Sequence, residues 1–337
     1  MLALAVVGTA VYLARGGADA EPLPGTPLRE LGTRRGIEVG TAVRSDELKR
    51  NRAYRQVVAA QFSSVTPENE MKWDAIEPSR GDFQFGAADE IVAKAREAGQ
   101  KVRGHTLVWY FQLPDWVKQL GPAELRAATR EHIRRVMGHY ANDVGVWDVV
   151  NEPITDSGGL RRSVFERRLG PGYIADAFQT ARAADPDAKL YLNEIGAEGI
   201  NPKSNRLYEL VRDLKVQGVP IDGVGFQTHA NLAGLPPTFV DNMRRFRALG
   251  LDVAITEADV ALRLPPTAAK LRKQAEIYAE IVRDCLAVEC RSLTFWGFTD
   301  GRSWISETQA GMGAATLLDD QLRPKPAFFA VQQALGG

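Results

Sequence analysis

Residues 101–153 read KVRGHTLVWYFQLPDWVKQLGPAELRAATREHIRRVMGHYANDVGVWDVVNEP and contain one complete strand–helix–strand unit. The β-prone runs 101–109 and 144–150 flank residues 123–140, in which Ala, Arg, Glu and Leu recur at helical spacing. A strand followed by a helix and a second strand predicts a crossover connection within a parallel sheet.

The same unit recurs along the chain. The other β-prone runs occupy 36–43, 63–66, 189–193, 223–229, 252–257 and 292–298, and the other helical stretches include 86–98, 171–184, 203–216, 267–288 and 324–335. Eight such strands without a glycine-rich phosphate loop favour an α/β fold that is a single (β/α)8 TIM barrel over a doubly wound sheet. Because no low-complexity linker interrupts the series, we expect one domain over residues 21–337.

Composition narrows the class of protein. The 337 residues include 42 Lys+Arg and 42 Asp+Glu, with 45% hydrophobic and 25% charged residues, which is typical of a globular protein. A net charge of zero argues against nucleic acid or an anionic membrane as partner, since both attract a basic surplus. We expect a monomer with no stable protein partner and no cofactor.

The N-terminal segment has a different character. Residues 2–14 form an uncharged and mainly apolar run, too short to span about 30 Å of hydrocarbon as a helix. Such a run suits the core of a secretory signal, and Ala18-Asp19-Ala20 offers a cleavage site. A signal normally begins with basic residues, but no Lys or Arg precedes Arg15. A misassigned start codon or an uncleaved anchor would account for their absence. We therefore interpret residues 1–20 as a signal peptide or N-terminal anchor and expect a secreted protein.

The two cysteines, Cys285 and Cys290, lie just before an apolar run. Export favours a local disulfide between them, and the alternative is two buried thiols. Either role is structural.

Polar and aromatic side chains follow the predicted strands. His105 and Trp109 belong to the third strand, Asn151 and Glu152 follow the fourth, Gln227 and His229 end the sixth, Glu257 and Asp259 end the seventh, and Trp296 belongs to the eighth. In a barrel the carboxyl ends of the strands converge on one face, where active sites are built. Amides, carboxylates and indoles at one mouth are typical of a carbohydrate site.

Two of these carboxylates have the placement that glycoside hydrolysis requires. Glu152 and Glu257 come from strands four and seven, on opposite sides of the mouth, and a pair about 5–5.5 Å apart gives retention. Glu257 and Asp259 share one face of an extended strand, so His229 could bridge them and keep Glu257 ionised. Glu257 is then the nucleophile and Glu152 the acid/base.

A metal site is the competing interpretation of the histidines. His105 and His229 could bind zinc together with carboxylates. However, the sequence has no His-x-His on a strand and no H-E-x-x-H on a helix, and we expect His132 and His139 on the surface of a helix. We therefore predict no metal.

Six segments in order resemble glycoside hydrolase family 10, the retaining endo-β-1,4-xylanases built on (β/α)8 barrels. They are TPENEMKW (66–73), RGHTLVW (103–109), WDVVNEP (147–153), GFQTH (225–229), ITEADV (255–260) and TFWGFTD (294–300). The resemblance runs from about residue 30 to residue 335 and implies hydrolysis of internal bonds of xylan by double displacement.

The resemblance also implies roles for individual residues. Glu152 resembles the acid/base, Glu257 the nucleophile, and His229 and Asp259 their supporting pair. Asn151 resembles the residue that binds the 2-hydroxyl at the cleavage point, and Gln227 a residue beside the nucleophile. The implied glycone contacts are Glu68, Asn69, Lys72, His105 and Gln112, and the implied aromatic walls are Trp109, Trp296 and Trp304.

Three features depart from the family pattern. Tyr110-Phe111 stands where His and a small or polar residue are usual, and Ile195 stands where an aglycone-side aromatic is common. The loop between the cysteines is one residue shorter than usual. Two alternatives to a xylanase remain, namely a barrel glycosidase acting on another β-linked glycan such as β-glucan, and a non-catalytic sugar-binding barrel.

Overall fold

The structure is a computed structural model that describes residues 19–337. Ten strands are present in this part of the chain. They are β1 (Glu38–Val43), β2 (Ser64–Pro67), β3 (Lys101–Trp109), β4 (Val144–Asn151), β5 (Lys189–Glu194), β6 (Gly223–Phe226), β7 (His229–Asn231), β8 (Asp252–Arg263), β9 (Ser292–Phe295) and β10 (Met312–Gly313). The predicted export segment lies, except for Asp19 and Ala20, outside the described residues.

Eight of the strands close into a parallel barrel. Strands β1 to β6 pair in sequence order, β8 follows β6, and β9 joins β8 to β1. All residues of β2, β6 and β9 are buried, as expected where helices cover a parallel sheet on one face and barrel side chains fill the other. The predicted single (β/α)8 barrel is therefore confirmed.

Helices connect these strands and cover the barrel. They are α1 (Leu28–Arg35), α2 (Ser45–Arg50), α3 (Arg52–Gln61), α4 (Trp73–Ile76), α5 (Gly86–Glu97), α6 (Asp115–Gln119), α7 (Pro122–His139), α8 (Val164–Leu169), α9 (Tyr173–Ala184), α10 (Pro202–Val216), α11 (Phe239–Ala248), α12 (Ala268–Ala287), α13 (Trp304–Thr308) and α14 (Pro326–Gly336). None of the helices within residues 19–337 is both long enough and apolar enough to cross a membrane.

Local sequence explains where several helices begin. The Asn201 side chain accepts a hydrogen bond from the Ser204 backbone N–H, and the Asn201 backbone N–H donates to Ser204 Oγ, with Pro202 at the first helical position of α10. Thr267 caps α12 in the same way by accepting from the Lys270 backbone. These caps satisfy N–H groups that have no partner inside the helix.

The sixth predicted strand, 223–229, is interrupted. Strand β6 ends at Phe226, and Thr228 adopts a left-handed backbone conformation with φ of 64°. The chain then resumes as β7, whose His229 pairs with Asp259 of β8. This pairing, with the antiparallel pairing of β10, extends β8 well beyond the predicted end at residue 257.

The expectation for His132 is wrong. This residue of α7 is fully buried, its ring stacks on Trp73 with centroids 4.0 Å apart, and its Nδ1 lies 3.3 Å from Glu77 Oε2. Burial lowers the pKa of His132. His139 is exposed, as expected.

Cys285 and Cys290 form a disulfide, so the disulfide rather than two free thiols is confirmed. Cys285 belongs to the last turn of α12, and Cys290 precedes β9. The bridge therefore lies at the amino end of a barrel strand, opposite the face where the strands end.

Candidate active site

The carboxyl ends of the strands surround a cavity of about 670 Å³. Every side chain that the sequence placed at the site lines this cavity except Asp259, which is fully buried. The predicted residues that line it are Glu68, Asn69, Lys72, His105, Trp109, Gln112, Asn151, Glu152, Gln227, His229, Glu257, Trp296 and Trp304.

Glu152 stands directly after β4 and is held at both its backbone and its side chain. Its φ of 54° is left-handed, a conformation that costs a non-glycine residue roughly 1–2 kcal/mol. Its N–H donates to the Asn193 carbonyl at 2.9 Å, and Arg161 Nε donates to its carbonyl at 2.9 Å. Gln227 Nε2 donates to Oε1 of the carboxyl group at 3.0 Å, so this carboxyl group is fixed at the cavity wall.

Glu257 projects from β8 and is 4% exposed. Its Oε1 accepts from Asn193 Nδ2 at 2.7 Å, and its Oε2 lies 3.2 Å from His229 Nε2. Burial alone would raise the pKa of Glu257, but the hydrogen bond from His229 and the charges of His105 and His229 outweigh it and lower that pKa. Glu257 is therefore a buried carboxylate that stays ionised.

The charge that opposes Glu257 belongs to His229. Its Nδ1 lies 3.0 Å from Asp259 Oδ2, so the imidazole bridges the two carboxylates as predicted. Burial would lower the pKa of His229, yet Asp259 and then Glu257 raise it to about 10. The ring is thus a cation at neutral pH. Trp304 Nε1 donates to the same Asp259 oxygen at 2.7 Å, which ties this indole to the pair.

Amide side chains connect the two sides of the mouth. Asn193 Nδ2 donates to Asn151 Oδ1 at 3.0 Å as well as to Glu257, and Gln227 Nε2 lies 3.3 Å from the same Asn151 oxygen. A Cβ at Gly225 would lie 2.3 Å from Asn193 Oδ1, so only glycine leaves room for this amide. A continuous set of hydrogen bonds therefore joins Glu152 to Glu257.

A second group of predicted residues surrounds Lys72. Lys72 Nζ donates to Asn69 Oδ1 at 3.1 Å and to Gln112 Oε1 at 2.8 Å, and it lies 4.9 Å from the Trp109 ring centre. Gln112 has a left-handed φ of 44°. Strained backbone of this kind is concentrated at functional sites.

His105 has a carboxylate partner that the sequence did not reveal. Its Nδ1 lies 3.0 Å from Asp148 Oδ2, and Arg103 binds both oxygens of Asp148. Burial would raise the pKa of Asp148, but Arg103 and then His105 lower it. Asp148 therefore orients the histidine. The rings of His105 and Trp296 pack in a T-shaped arrangement with centroids 5.2 Å apart.

Glu194 is another residue missed from the sequence. It accepts from the backbone N–H groups of Ile154 and Ile195 at 3.0 and 3.1 Å, and Lys203 Nζ lies 3.2 Å away. Burial raises the pKa of Glu194 to about 8 in spite of Lys203. The side chain anchors the loop that follows Glu152.

The residues that depart from the family pattern lie at the cavity. The Arg161 guanidinium stacks on Tyr110 at 4.3 Å from the ring centre, and burial followed by the Glu152 carboxylate raises the pKa of Tyr110. Phe111 is 60% exposed at the rim, and Ile195 contributes a partly buried aliphatic side chain.

Both histidines at the cavity contact carboxylate groups. His105 contacts Asp148, and His229 contacts Glu257 and Asp259. Within residues 19–337, no group of three or more His, Cys, Asp and Glu side chains is arranged to hold a metal ion.

A barrel whose mouth holds two fixed carboxyl groups among amides and indoles defines a glycoside hydrolase. Comparison with known proteins gives the family. Residues 27–334 match the family described as Glycosyl hydrolase family 10, and the chain belongs to that family.

Relatives of this chain come from fungi and bacteria. It is 43% identical over 272 residues to an endo-1,4-beta-xylanase of Agaricus bisporus, covering 80% of this chain and 82% of the relative. It is 40% identical over 316 residues to endo-1,4-beta-xylanase B of Thermotoga neapolitana, covering 92% and 91%. The crystal structure of xylanase 10B from Thermotoga petrophila RKU-1 in complex with xylobiose superposes with a TM-score of 0.90 at 40% identity, covering 94% of this chain and 98% of that one.

Proposed function

We propose that this glycoside hydrolase is an endo-1,4-β-xylanase that cleaves internal β-1,4-xylosidic bonds of xylan with retention of configuration. The observation that carries the proposal is the state of Glu257, a buried carboxylate kept ionised by the His229 cation. An ionised carboxylate within a sugar-binding cavity is the nucleophile that retention requires. The relatives named above are xylanases, and one neighbouring structure contains xylobiose.

The reaction takes two displacements. In the first, a Glu257 oxygen forms a bond to the anomeric carbon while the glycosidic bond breaks, and Glu152 gives its proton to the departing oxygen. In the second, Glu152 removes a proton from water, the water oxygen attacks the anomeric carbon, and Glu257 leaves as a carboxylate. Two inversions at one carbon restore the original β configuration.

The neighbouring residues take supporting roles in this proposal. His229 and Asp259 keep Glu257 charged and oriented. Asn151 binds the 2-hydroxyl of the sugar at the cleavage point. Gln227 orients the Glu152 carboxyl group by donating a hydrogen bond to it. The sugars of the glycone side contact Glu68, Asn69, Lys72, His105 and Gln112, with Trp109, Trp296 and Trp304 as aromatic walls.

The stereochemical outcome is the direct test of this mechanism. Proton NMR of early xylan hydrolysis is expected to show the β-anomer of the new reducing end before mutarotation produces the α-anomer. Early appearance of the α-anomer would mean that Glu257 activates water instead of forming a covalent bond.

We expect a preference for xylose over glucose backbones. An indole at Trp304, together with Gln112, would crowd the hydroxymethyl group that glucose has and xylose lacks. Rejection of one such group corresponds to a kcat/KM ratio of about 10–200. The measurement compares aryl β-xylobioside with aryl β-cellobioside, and equal efficiency on the two would contradict the prediction.

A reducing-sugar assay on xylan and on carboxymethyl cellulose distinguishes the alternatives. A xylanase releases sugar mainly from xylan, and a β-glucanase releases it mainly from the cellulose derivative. A non-catalytic sugar-binding barrel would release none from either polymer.

We further propose that the protein is exported through residues 1–20 and acts as a monomer on xylan, without nucleic acid or a stable protein partner. The match to the family begins at residue 27, after the proposed cleavage point, which is consistent with residues 21–337 being the catalytic domain. The disulfide is consistent with an oxidising environment.

A further inference from the structure

An arginine that belongs to none of the six family-like segments stands at one end of the cavity. Arg44 follows β1, and its guanidinium binds two carboxylates at once. Its Nε and Nη2 lie 2.9 and 3.0 Å from the oxygens of Glu68, and its Nη1 and Nη2 lie 2.9 and 2.8 Å from those of Glu307. We call these three residues the clasp.

The clasp lies on the glycone side of the proposed cleavage point. The Lys72 ammonium contacts Asn69, the residue next to Glu68 in the chain, and it is within electrostatic reach of both Glu257 and Glu68. Lys72 is thus influenced by both Glu257 and Glu68, and Glu68 is bound in turn by Arg44.

Glu307 connects helix α13 to the clasp. It belongs to α13, the short helix that begins with Trp304, and Trp304 lines the same cavity. Arg44 therefore connects Glu68, which follows β2, to helix α13, which carries Trp304.

Further contacts fix the backbone around Arg44. Glu70 accepts from the backbone N–H of Ser45 at 2.5 Å and from that of Asn69 at 3.2 Å, so one carboxylate joins the loops that follow β1 and β2. Arg44 is thus a fixed cation and not a mobile surface side chain, with only 20% of its side chain exposed.

We propose that Arg44 is a positioning residue that fixes Glu68 and the Trp304 helix around the second sugar of the glycone side. The proposal rests on the function proposed above. The charge of Arg44 opposes the repulsion among Glu68, Glu70 and Glu307, and its fork-shaped guanidinium holds Glu68 in one orientation. Glu68 can then accept hydrogen bonds from sugar hydroxyls without a further loss of side-chain freedom.

The test compares two substrates that differ by one sugar, dinitrophenyl β-xyloside and dinitrophenyl β-xylobioside. In Arg44→Gln, kcat/KM for the xylobioside is expected to fall by about ten- to a hundredfold, the scale of a lost hydrogen bond to a charged group. The xyloside has no second sugar for the clasp to act on, so kcat/KM for the xyloside should change by less than about twofold. Arg44→Lys keeps the charge without the fork and should lie between the wild type and Arg44→Gln.

Arg302→Gln is the matched control. Arg302 Nε lies 2.5 Å from Glu47 Oε1, so this ion pair also connects the segments around residues 44–47 and 300–307. Arg302 forms no hydrogen bond with Glu68 or Glu307. This variant should keep both kcat/KM values.

An equal loss on both substrates in Arg44→Gln, or no loss on either, overturns the proposal. If Arg44→Gln does not fold, equal kcat/KM ratios for Arg44→Lys and the wild type overturn it as well. A wild-type protein inactive on both glycosides contradicts the proposed function itself, which separates that failure from failure of the clasp.

Discussion

Glu152→Ala is expected to slow xylan hydrolysis by about 10²–10⁴-fold, the usual contribution of general acid catalysis. Xylan needs a proton on the departing oxygen, and Glu152 is the carboxyl group that the Gln227 amide holds at the cavity. A dinitrophenolate departs without a proton, so the first step on dinitrophenyl xylobioside should be almost unaffected. The measurement is a stopped-flow burst of dinitrophenolate followed by a slow steady state.

Azide identifies the step that remains slow in this variant. The glycosyl-enzyme persists because no base activates water, and azide attacks without a base. It should restore turnover and yield the β-glycosyl azide, since Glu257 covers the other face of the sugar. If Glu152→Ala slowed both substrates alike and azide had no effect, Glu152 would be a binding residue.

Glu257→Gly is expected to have the largest effect of any single substitution, a loss in kcat on the order of 10⁵-fold or more, which is typical of removing a covalent nucleophile. No other described carboxylate has the His229 cation and the Asn193 amide as partners on its two oxygens. Azide can enter the space that the side chain vacates, and Glu152 still supplies the proton. The product should then be the α-glycosyl azide.

The two azide products separate the roles of the two carboxyl groups. A β-azide from the Glu152 variant and an α-azide from the Glu257 variant place the residues on opposite faces of the sugar. Glu276→Ala is the control, because Glu276 is an exposed residue of α12 in an ion pair with Lys273 and should keep full activity. Substantial residual xylanase activity in Glu257→Gly would contradict its assignment as nucleophile.

The eight barrel strands were predictable because most of their residues are buried, which produces short apolar runs between helical stretches. Boundaries were not predictable where partners distant in sequence decide them. Strand β8 continues to Arg263 because β7 and β10 pair with it, and β6 stops at Phe226 because Thr228 turns the chain.

The error for His132 has a local cause. Its arginine neighbours suggested a surface position, but Leu125, Thr129, Ile133 and Val136 share its buried face of α7. The helical periodicity of α7 therefore predicts the burial of His132 better than the charge of the adjacent residues does.

The family resemblance supplied Glu68, Asn69, Lys72, Gln112 and Trp304 as site residues. The rule that active sites form at the carboxyl ends of barrel strands placed the others at one mouth, and all the predicted residues except Asp259 line one cavity. It did not identify Asn193, Asp148 or Arg44, because their importance depends on partners from other strands. Asn193 pairs in register with Asn151, and only this register brings its amide to Glu257. A single asparagine, aspartate or arginine in a sequence gives no sign of such a partner.

The shared oxygen of Asp259 limits how this enzyme can be redesigned. Asp259 Oδ2 accepts hydrogen bonds from both His229 and Trp304. Enlarging the pocket by replacing Trp304 would remove a donor from the same carboxylate that holds the His229 cation beside Glu257. A substitution of Trp304 is therefore expected to change both the substrate range and the turnover rate. A variant designed for a new glycan will need a second substitution that restores a hydrogen-bond donor to Asp259.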